Sequence, residues 1–369
     1  MRDREVGFGR RDGPRPLVAG ASPLDDALAA RLLPARPARG HKGTFGKLLV
    51  LAGSLDYAGA ALLVCRAAGR AGAGLVTLAV PESLQPLFAA KVVEATTMGL
   101  PEDDVEEVDP ERALARILDH EHDALVLGPG LRPGLATAAL VRSIVSTPGE
   151  PGEAASADGS ADGSVVRPGL PPAVLDAEAL RSLASVDHWW NGVDRPCVLT
   201  PHPGEFARLR EAGGRDVPDD GDLVADDAAR VAAAVDAART WGHVVVLKGA
   251  RTVVAAPDGT ASIAEFENPA LASGGTGDVL AGVIGALLAQ GLGPFDAARL
   301  GVQLHGLAGL AVRDRFGDSG LLASDLPDAV ALARRRLATV AERDADTRVG
   351  FAPRPQPPGA QPADTQPSG

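Results

Sequence analysis

The sequence is poor in cysteine, lysine and aromatic side chains, and it contains no long hydrophobic run. Its two cysteines, Cys65 and Cys197, are too few for a disulfide framework or a four-ligand zinc site. Acidic residues outnumber basic ones by 48 to 36, and the net charge of −12 argues against binding to the nucleic-acid backbone. No apolar run reaches the roughly 20 residues that span a bilayer, and the charged segment 1–12 lacks the apolar stretch of a secretory signal. We therefore expect a soluble cytoplasmic enzyme or binding protein without nucleic-acid or membrane partners.

Three segments of the chain are low in large apolar side chains. Residues 146–172 contain Pro-Gly-Glu and Ala-Asp-Gly-Ser repeats, and such a segment cannot offset the entropy lost on ordering. We expect a mobile surface insertion there, and disorder in residues 1–20 and in the Pro-rich tail 341–369. The remaining residues, 21–340, have the apolar content and length of one large domain.

Short apolar runs alternate with helical stretches between residues 21 and 340. Runs that are apolar on both faces suit strands buried inside a parallel sheet; these runs are 48–52, 74–80, 124–127, 173–175, 197–199 and 244–247. Helical periodicity predicts helices over 58–71, 110–119, 134–145, 226–241, 276–290 and 294–313. This order predicts an open α/β sheet with helices on both faces, whose ligands bind beyond the carboxyl ends of the strands.

The sharpest functional signal is the segment 268–278, which ends in Gly-Gly-Thr-Gly-Asp. Apolar pairs recur at helical spacing after it, so a buried helix is expected to begin near Thr276. Bare N–H groups at the positive end of that helix would bind phosphate, in an anion hole made of Gly274, Gly275, Thr276 and Gly277. Asp278, beside that phosphate, fits a base that takes a proton from a substrate hydroxyl. A carboxylate that merely complements the helix dipole is the structural alternative.

The second signal is Thr-Pro-His-Pro-Gly-Glu at residues 200–205, directly after a predicted strand. Pro201 and Pro203 fix the backbone and hold His202 and Glu205 on one short segment of the rim. Glu205 could steer a magnesium–phosphate group through water, and His202 could hydrogen-bond a ligand amide or phosphate. A rigid connection between strand and helix explains the same residues, and the two interpretations remain open.

Lysine is rare in this chain, with 4 lysines against 32 arginines, and Lys248 directly follows the predicted strand 244–247. Lys248 and Thr252 could reach the phosphates or ribose of a nucleotide. Gly249 has no side chain, so the nucleotide could approach the backbone closely there. A hairpin with its turn at Asp258-Gly259 is expected next. A surface lysine at the end of a strand is the structural alternative.

Other conspicuous residues fit structural roles. His305 lies inside a predicted helix among apolar neighbours, and Trp189 with Trp190 fits a surface packing patch. Cys65 and Cys197 have apolar surroundings in the sequence, where buried, inert thiols are expected.

These motifs, in this order, resemble the ADP-dependent NAD(P)H-hydrate dehydratase family, a branch of the ribokinase-like proteins. The resemblance covers roughly residues 24–336. It rests on His41-Lys-Gly with Gly46, Ala52-Gly-Ser, Gly59-Ala-Ala, Gly128-Pro-Gly, Leu175-Asp-Ala-Glu, Thr200-Pro-His-Pro-Gly-Glu, Lys248-Gly-Ala, and Asn268-Pro through Gly-Gly-Thr-Gly-Asp278. Pyridoxal-type kinases of the same fold carry Asn where this chain has His202, which favours the dehydratase. Arg132 departs from the family pattern, in which Gly-Pro-Gly-Leu often continues with Gly.

The resemblance implies a single-domain, ribokinase-like α/β fold with an open, mostly parallel sheet. It also implies a substrate, NADH or NADPH hydrated on the nicotinamide ring (NADHX or NADPHX, S epimer). ADP-dependent dehydration would return NADH or NADPH and release AMP and phosphate, with Asp278 as the catalytic base and Mg²⁺ as cofactor, without an assigned protein ligand. The AMP portion would be lined by Lys248, Gly249, Ala250, Arg251, Thr252 and Gly277. The hydrated dinucleotide would face Ala60, Gly130, His202 and Asp278.

The resemblance carries expectations about partners as well. Relatives are oligomeric, which implies a homotetramer. Only about 20 unassigned residues precede the predicted core, so an NAD(P)HX epimerase is expected to be a separate chain or to lie outside this sequence. Two other functions remain open: an ATP-dependent small-molecule kinase of the same fold, and a nucleotide-binding module without turnover.

Overall fold

The structure, a computed structural model, describes residues 17–103, 107–146, 170–216, 223 and 225–350, with side chains described up to residue 342. The disorder expected for residues 1–16, 147–169 and 351–369 concerns segments outside the described residues. The last described helix runs to Gly350, ten residues beyond the predicted domain end at 340.

Ten strands in the described residues form one sheet. They are β1 Ser22–Leu24, β2 Lys47–Leu51, β3 Leu75–Pro81, β4 Thr96–Leu100, β5 Ala124–Leu127, β6 Ala173–Leu175, β7 Cys197–Leu199, β8 Val244–Leu247, β9 Val253–Ala255 and β10 Ala261–Ala264. Their order is β1-β10-β9-β8-β7-β6-β5-β2-β3-β4, and only β9 runs antiparallel to its neighbours in this described sheet. All six predicted strands are confirmed, and the predicted hairpin joins β9 to β10.

Helices cover both faces of the sheet, as predicted. The described α-helices are α1 Asp26–Arg31, α2 Ala58–Ala71, α3 Gln85–Ala89, α4 Pro110–Leu118, α5 Leu135–Ser146, α6 Glu178–Leu183, α7 Pro203–Glu211, α8 Asp227–Trp241, α9 Thr276–Ala289, α10 Pro294–Phe316 and α11 Leu326–Gly350. One core contains residues of α1 to α3 and α9 to α11, and the other contains residues of α4 to α8. Strand β2 serves both cores, because Leu48 and Val50 face one while Leu49 and Leu51 face the other.

Helix α9 is buried along almost its whole length, against the sheet and helices α2 and α10. Glycine permits this packing: a Cβ added at Gly282 would lie 2.5 Å from the carbonyl oxygen of Val64 in α2. The close fit places the amino terminus of α9 at the edge of the sheet where β6, β7 and β8 end. The predicted glycine-rich segment and the predicted strand-end residues therefore share one rim, as expected for ligand sites in such sheets.

The assignment of Trp189 to a surface patch is wrong. Trp189 is only 4% exposed, its ring centroid lies 5.1 Å from that of Trp241, and its indole N–H donates to the carbonyl oxygen of Leu209 at 3.2 Å. Burial of Cys65 and Cys197 is confirmed, and it raises the pKa of each thiol to about 12. Within the described ranges, no helix combines the length and the apolar character that a membrane crossing requires.

Candidate active site

The glycine-rich segment forms a tight turn into α9. Gly275 has a φ of +88°, and a Cβ there would lie 2.7 Å from Cδ1 of Leu63, so both conformation and space require glycine. The hydroxyl of Thr276 lies 2.8 Å from the carbonyl oxygen of Leu271 and 2.9 Å from that of Ser273. These contacts tie the loop to the first turn of the helix and fix the direction of its N–H groups.

Most N–H groups of this turn are unpaired. In the part of the chain that the structure describes, the backbone N–H groups of Gly274, Gly275, Gly277 and Asp278 donate no hydrogen bond. The N–H of Thr276 lies 3.4 Å from the carbonyl oxygen of Ser273, which is a weak contact. Backbone hydrogen bonds therefore do not occupy the N–H groups of the predicted anion hole, and these groups remain able to bind a phosphate.

Asp278 stands in the first turn of α9 with its carboxyl group largely buried. The pKa of this carboxyl is raised to about 7, chiefly by burial and also by the nearby charge of Asp176, while the charge of Lys248 opposes the shift. A carboxyl group with such a pKa is divided between its protonated and ionised forms at neutral pH. It therefore has the proton affinity that a general base at neutral pH needs.

Lys248 lies between three carboxylates. Its Nζ is 2.9 Å from Oδ1 of Asp176 and 3.7 Å from Oε2 of Glu205, and it also interacts electrostatically with Asp278. Burial lowers the pKa of Lys248, but the charges of Asp176 and Glu205 outweigh it and leave the pKa above its usual value. The ammonium group thus stays charged at the mouth of the anion hole: a Cβ added at Gly277 would lie 3.5 Å from it.

Asp176 belongs to the Leu-Asp-Ala-Glu motif on which the resemblance rests, but the sequence analysis gives it no role in the site. It directly follows β6, is 2% exposed, and accepts hydrogen bonds from Thr200 Oγ1 at 2.8 Å and Lys248 Nζ at 2.9 Å. A signal existed, since a lone carboxylate directly after a fully apolar strand lies at the functional edge of a parallel sheet.

His202 and Glu205 form a reciprocal cap at the start of α7. His202 Nδ1 accepts from the N–H groups of Gly204 at 3.1 Å and Glu205 at 3.3 Å, while Glu205 Oε2 accepts from the N–H of His202 at 2.8 Å. The imidazole is half exposed and the Glu205 carboxylate is mostly buried. Both residues therefore have the structural role weighed in the sequence analysis, and both also lie on the rim beside Lys248.

A cavity of about 460 Å³ opens beside the anion hole. This volume falls within the roughly 300–1,000 Å³ of small-molecule sites. Its wall includes residues that the sequence analysis assigned to the nucleotide or to the anion hole, namely Lys248, Gly249, Ala250, Thr252, Thr276 and Gly277. Apolar wall is supplied by Phe266, Leu271, Leu280 and Val302. The cavity thus joins an end lined by Lys248 and the first turn of α9 to an apolar end, a combination that suits a nucleotide.

Asn268 and His305 are buried polar residues that also line the cavity. The Nδ2 of Asn268 is buried without a hydrogen-bond partner in the described residues. His305 Nε2 lies 2.9 Å from the carbonyl oxygen of Thr276, so this nitrogen carries the proton and donates. Burial lowers the pKa of His305 to about 4, which keeps the ring neutral. His305 is structural, as expected, but it also braces the anion-hole helix.

The side chain of Arg251 does not line the cavity. Its Nε donates to the carbonyl oxygen of Ala264 at 3.1 Å, and its Nη1 pairs with Asp227 at 2.6 Å. Arg251 is buried in these contacts. Below Gly249, the guanidinium of Arg230 donates to the carbonyl oxygens of Leu223 and Leu247, so it supports the loop from beneath.

Ala60, in the first turn of α2, and Gly130, in the loop after β5, lie side by side. Gly130 has a φ of +66°, and a Cβ there would lie 2.7 Å from that of Ala60. The same loop packs onto the cluster described above, because a Cβ at Gly128 would lie 1.9 Å from the carbonyl oxygen of Asp176. The two predicted substrate residues are therefore adjacent to each other but outside the wall of the cavity.

The carboxylates present fit a magnesium ion only in a supporting role. No group of three or more His, Cys, Asp or Glu side chains in the described residues could hold a metal ion. Asp176 Oδ1 is engaged by Thr200 and Lys248, and Glu205 Oε2 by the backbone of His202. This donor set suits a Mg²⁺ held chiefly by nucleotide phosphates and water, which is how proteins commonly bind it.

Comparison with known proteins agrees with this geometry. The profile of a family described as NAD(P)H-hydrate dehydratase matches residues 48–331. The chain is 36% identical over 305 residues to the ADP-dependent (S)-NAD(P)H-hydrate dehydratase of Xanthomonas campestris, covering 82% of this chain and 92% of that protein. It is 39% identical over 321 residues to the bifunctional NAD(P)H-hydrate repair enzyme Nnr of Moorella thermoacetica, covering 85% of this chain and 54% of that protein. The chain spans about half the length of the bifunctional relatives it matches.

A solved structure extends the comparison to the fold. The ADP/ATP-dependent NAD(P)H-hydrate dehydratase from Bacillus subtilis, co-crystallised with ATP and Mg²⁺, superposes with a TM-score of 0.68 at 30% identity, covering 87% of this chain and all of that one. The predicted fold, a ribokinase-like α/β fold with an open, mostly parallel sheet, is confirmed. The chain belongs to the NAD(P)H-hydrate dehydratase family.

Proposed function

We propose that the protein catalyses ADP-dependent dehydration of (S)-NADHX and (S)-NADPHX to NADH and NADPH, with release of AMP and phosphate. The observation that carries the proposal is the placement of Asp278. A carboxyl group with a pKa of about 7 stands among unpaired helix N–H groups and near a partly buried lysine, and it directly follows Gly277 in the wall of a nucleotide-sized cavity. Its xanthomonad relative carries the name of this activity.

The proposed chemistry solves a leaving-group problem. Hydroxide leaves poorly, since water has a pKa near ~15.7, whereas a phosphate monoester has a second pKa of roughly 6. In the first step Asp278 takes the proton of the substrate hydroxyl, and the hydroxyl oxygen attacks the β-phosphorus of ADP. The bond from the β-phosphorus to the bridging oxygen breaks, and AMP leaves. In the second step the ring nitrogen expels phosphate, and loss of a proton from the neighbouring carbon to solvent restores the ring double bond.

The remaining residues bind the nucleotide and hold charge. The N–H groups of Gly274, Gly275 and Gly277 point to where negative charge gathers on the transferred phosphoryl group, and such preorganised donors supply much of the catalysis in phosphoryl transfer. Lys248 adds a positive charge at the same place, and Thr252 with Gly249 and Ala250 forms the cavity wall. Mg²⁺, when bound with ADP, would neutralise phosphate charge, with Glu205 as its support.

The hydrated nicotinamide would approach from the side of His202. The ring of His202 is half exposed, and its Nδ1 is occupied by backbone N–H groups, so Nε2 is the atom left for a ligand. We extend the substrate surface to Ala60 and Gly130, whose small size admits a flat ring close to the backbone. Gly130 follows β5, one strand from the β6 strand that precedes Asp176, and Ala60 follows β2, two strands from it; the dinucleotide would span this distance along the rim.

The proposed substrate also suggests the cellular compartment and a partner enzyme. NADH, NADPH and ADP are cytoplasmic metabolites, so we place the protein in the cytoplasm. A site that takes one epimer leaves the other unrepaired, so we propose functional pairing with an NAD(P)HX epimerase. The homotetramer expected from the resemblance belongs to this proposal, and its test is the mass of the protein in solution by light scattering.

The decisive experiment follows recovery of the dihydronicotinamide absorbance. The protein is incubated with ADP, Mg²⁺ and NADHX prepared as the S epimer, and AMP is measured in the same sample. Absorbance should return with one AMP formed for each NADH. A phosphorylated product that accumulates only with ATP would identify a kinase instead. Nucleotide binding without any turnover would identify a binding module.

A further inference from the structure

The arrangement of charges around Lys248 raises a question that the proposed function leaves open. Three carboxylates, those of Asp176, Glu205 and Asp278, act on one ammonium group. A base that paired directly with this lysine would be held in its ionised form and would bind a substrate proton weakly. Something must therefore keep the ammonium group away from Asp278.

Asp176 has the geometry to do this. Its Oδ1 lies 2.9 Å from Lys248 Nζ, within hydrogen-bond distance, while Glu205 Oε2 lies 3.7 Å away. The described structure contains no ion pair between Lys248 and Asp278. Lys248 is thus paired with Asp176, the nearest carboxylate, and its charge acts on Asp278 only at longer range.

Asp176 is itself held in place from a second side. The hydroxyl of Thr200, which follows β7, donates to the same Oδ1 at 2.8 Å, and the side chains of Asp176 and Thr200 are both buried. The backbone N–H of Asp176 is bound to the carbonyl oxygen of Leu127 at 3.1 Å. A carboxylate fixed in this way keeps one orientation, which fixes the position of the lysine.

The charges that face Asp278 come from several elements. Asp176 follows β6 and Lys248 follows β8; Glu205 in α7 acts on Lys248, and His305 in α10 is neutral. We propose that Asp176 is a positioning residue that binds Lys248 beside the anion hole, keeps it from pairing with Asp278, and so leaves Asp278 free to act as the base. The catalytic part of this proposal rests on the proposed function, but the electrostatic part can be measured without it.

The test is the titration of Asp278 in full-length protein labelled with ¹³C at aspartate carboxyl carbons, with Asp278→Asn identifying the signal. The wild-type midpoint is expected at about 7. In Asp176→Asn the lysine turns to Asp278, and the midpoint should fall by about one pH unit or more. Thr200→Val is the matched control, because it removes one hydrogen bond that holds Asp176 but keeps its charge; its midpoint should fall clearly less than that of Asp176→Asn. An unchanged midpoint in Asp176→Asn would overturn the proposal.

Activity gives a second readout. In Asp176→Asn the acid limb of the kcat/KM profile should move to lower pH together with the midpoint, and the plateau should fall by about tenfold or more, since the base is weaker. Asp176→Glu, which keeps the charge, should restore part of both. A plateau that falls while the acid limb stays in place would mean that Asp176 only supports the fold, and it would sink the proposal.

Lys248→Met covers the case in which Asp176→Asn does not fold. This variant removes the positive charge of Lys248, which lowers the pKa of Asp278, so the midpoint of Asp278 should rise above the wild-type value. An unchanged midpoint would mean that Lys248 cannot reach Asp278, and it would overturn the proposal. Because these titrations need no turnover, a wild-type protein without dehydratase activity that still shows these shifts would refute the proposed function and leave the positioning role intact.

Discussion

His202 and Glu205 cap the same helix reciprocally: each accepts a hydrogen bond from the backbone N–H of the other. This arrangement satisfies N–H groups that the first turn of α7 would otherwise leave unpaired. It also fixes the tautomer of His202, because Nδ1 must be the acceptor and Nε2 must carry the proton when the ring is neutral. The cap therefore determines which atom His202 offers to a ligand.

Two substitutions at His202 separate the capping role from the binding role. Asn is a good helix cap, so His202→Asn should keep the melting temperature while losing the Nε2 contact. His202→Ala loses both roles and should also lose about 1 kcal/mol of unfolding free energy. Both variants should raise KM for NADHX, and neither should change ADP affinity by more than about twofold. An unchanged KM for NADHX in His202→Asn would mean that His202 acts only as a helix cap.

Asp278→Asn tests the proposed base directly. The amide keeps the shape of the carboxyl group but cannot take a proton, so kcat should fall by roughly 10²- to 10⁴-fold. ADP binding, measured by calorimetry, should persist or tighten, because a negative charge beside the phosphates is removed. Asp258→Asn, in the exposed β9–β10 turn, is the control and should leave kcat unchanged. Retention of most turnover in Asp278→Asn would assign proton transfer to another group.

The pH dependence follows from the same carboxyl group. Burial raises the pKa of Asp278 from 3.8 to about 7, so the active, ionised form is lost as the pH falls below about 7. The kcat/KM for NADHX should then fall about tenfold for each pH unit on the acid side. A flat profile between pH 5 and 8 would contradict the assignment.

The raised pKa of Asp278 also makes a prediction about stability. As the pH rises from about 4 to 7, the unfolded chain gives up this proton before the folded protein does, so Asp278 progressively lowers the free energy of unfolding. Asp278→Asn removes this cost. The melting temperature of the variant relative to wild type should therefore be higher at pH 8 than at pH 5, and an equal difference at both would contradict the shift.

Much of the fold and part of the site follow from local sequence. The six apolar runs form strands because a central parallel strand is buried on both faces, and helix periodicity located α9 to within one residue. The placement of Lys248, Thr252 and the glycine turn around one cavity also followed, since the carboxyl ends of parallel strands share an edge.

The missed residues depend on packing between distant segments. The role of Asp176 is set by Thr200 and Lys248, which are 24 and 72 residues away and meet it only through the order of the strands. The burial of Trp189 depends on Trp241 and Leu209 in the same way. No local pattern contains these pairings, whereas a glycine turn and its helix are local.

Arg251 is the residue for which resemblance and structure lead to different expectations. Its guanidinium is bound to Asp227 and to the carbonyl oxygen of Ala264, away from the cavity. Arg251→Met should therefore lower the melting temperature, because two buried contacts are lost, while KM for ADP should change by about twofold or less. Lys248→Met is the contrasting variant and should raise that KM by about tenfold or more. If Arg251→Met showed a large rise in KM for ADP with an unchanged melting temperature, this side chain would have to contact the nucleotide.

Gly277→Ala tests whether the amide-lined turn is where phosphate binds. A Cβ there would lie 3.5 Å from Lys248 Nζ and 3.9 Å from Asp176 Oδ2, which are ordinary contact distances, so the free protein should accommodate it. The melting temperature should stay level or rise, since alanine favours a helix over glycine by roughly 1 kcal/mol. The added methyl group blocks close approach to the N–H groups, so ADP affinity should fall by about tenfold or more. Gly293→Ala, whose Cβ meets nothing within 4 Å, is the matched control and should bind ADP normally. Equal ADP affinity in the two variants would mean that the phosphate does not bind at the amino terminus of α9.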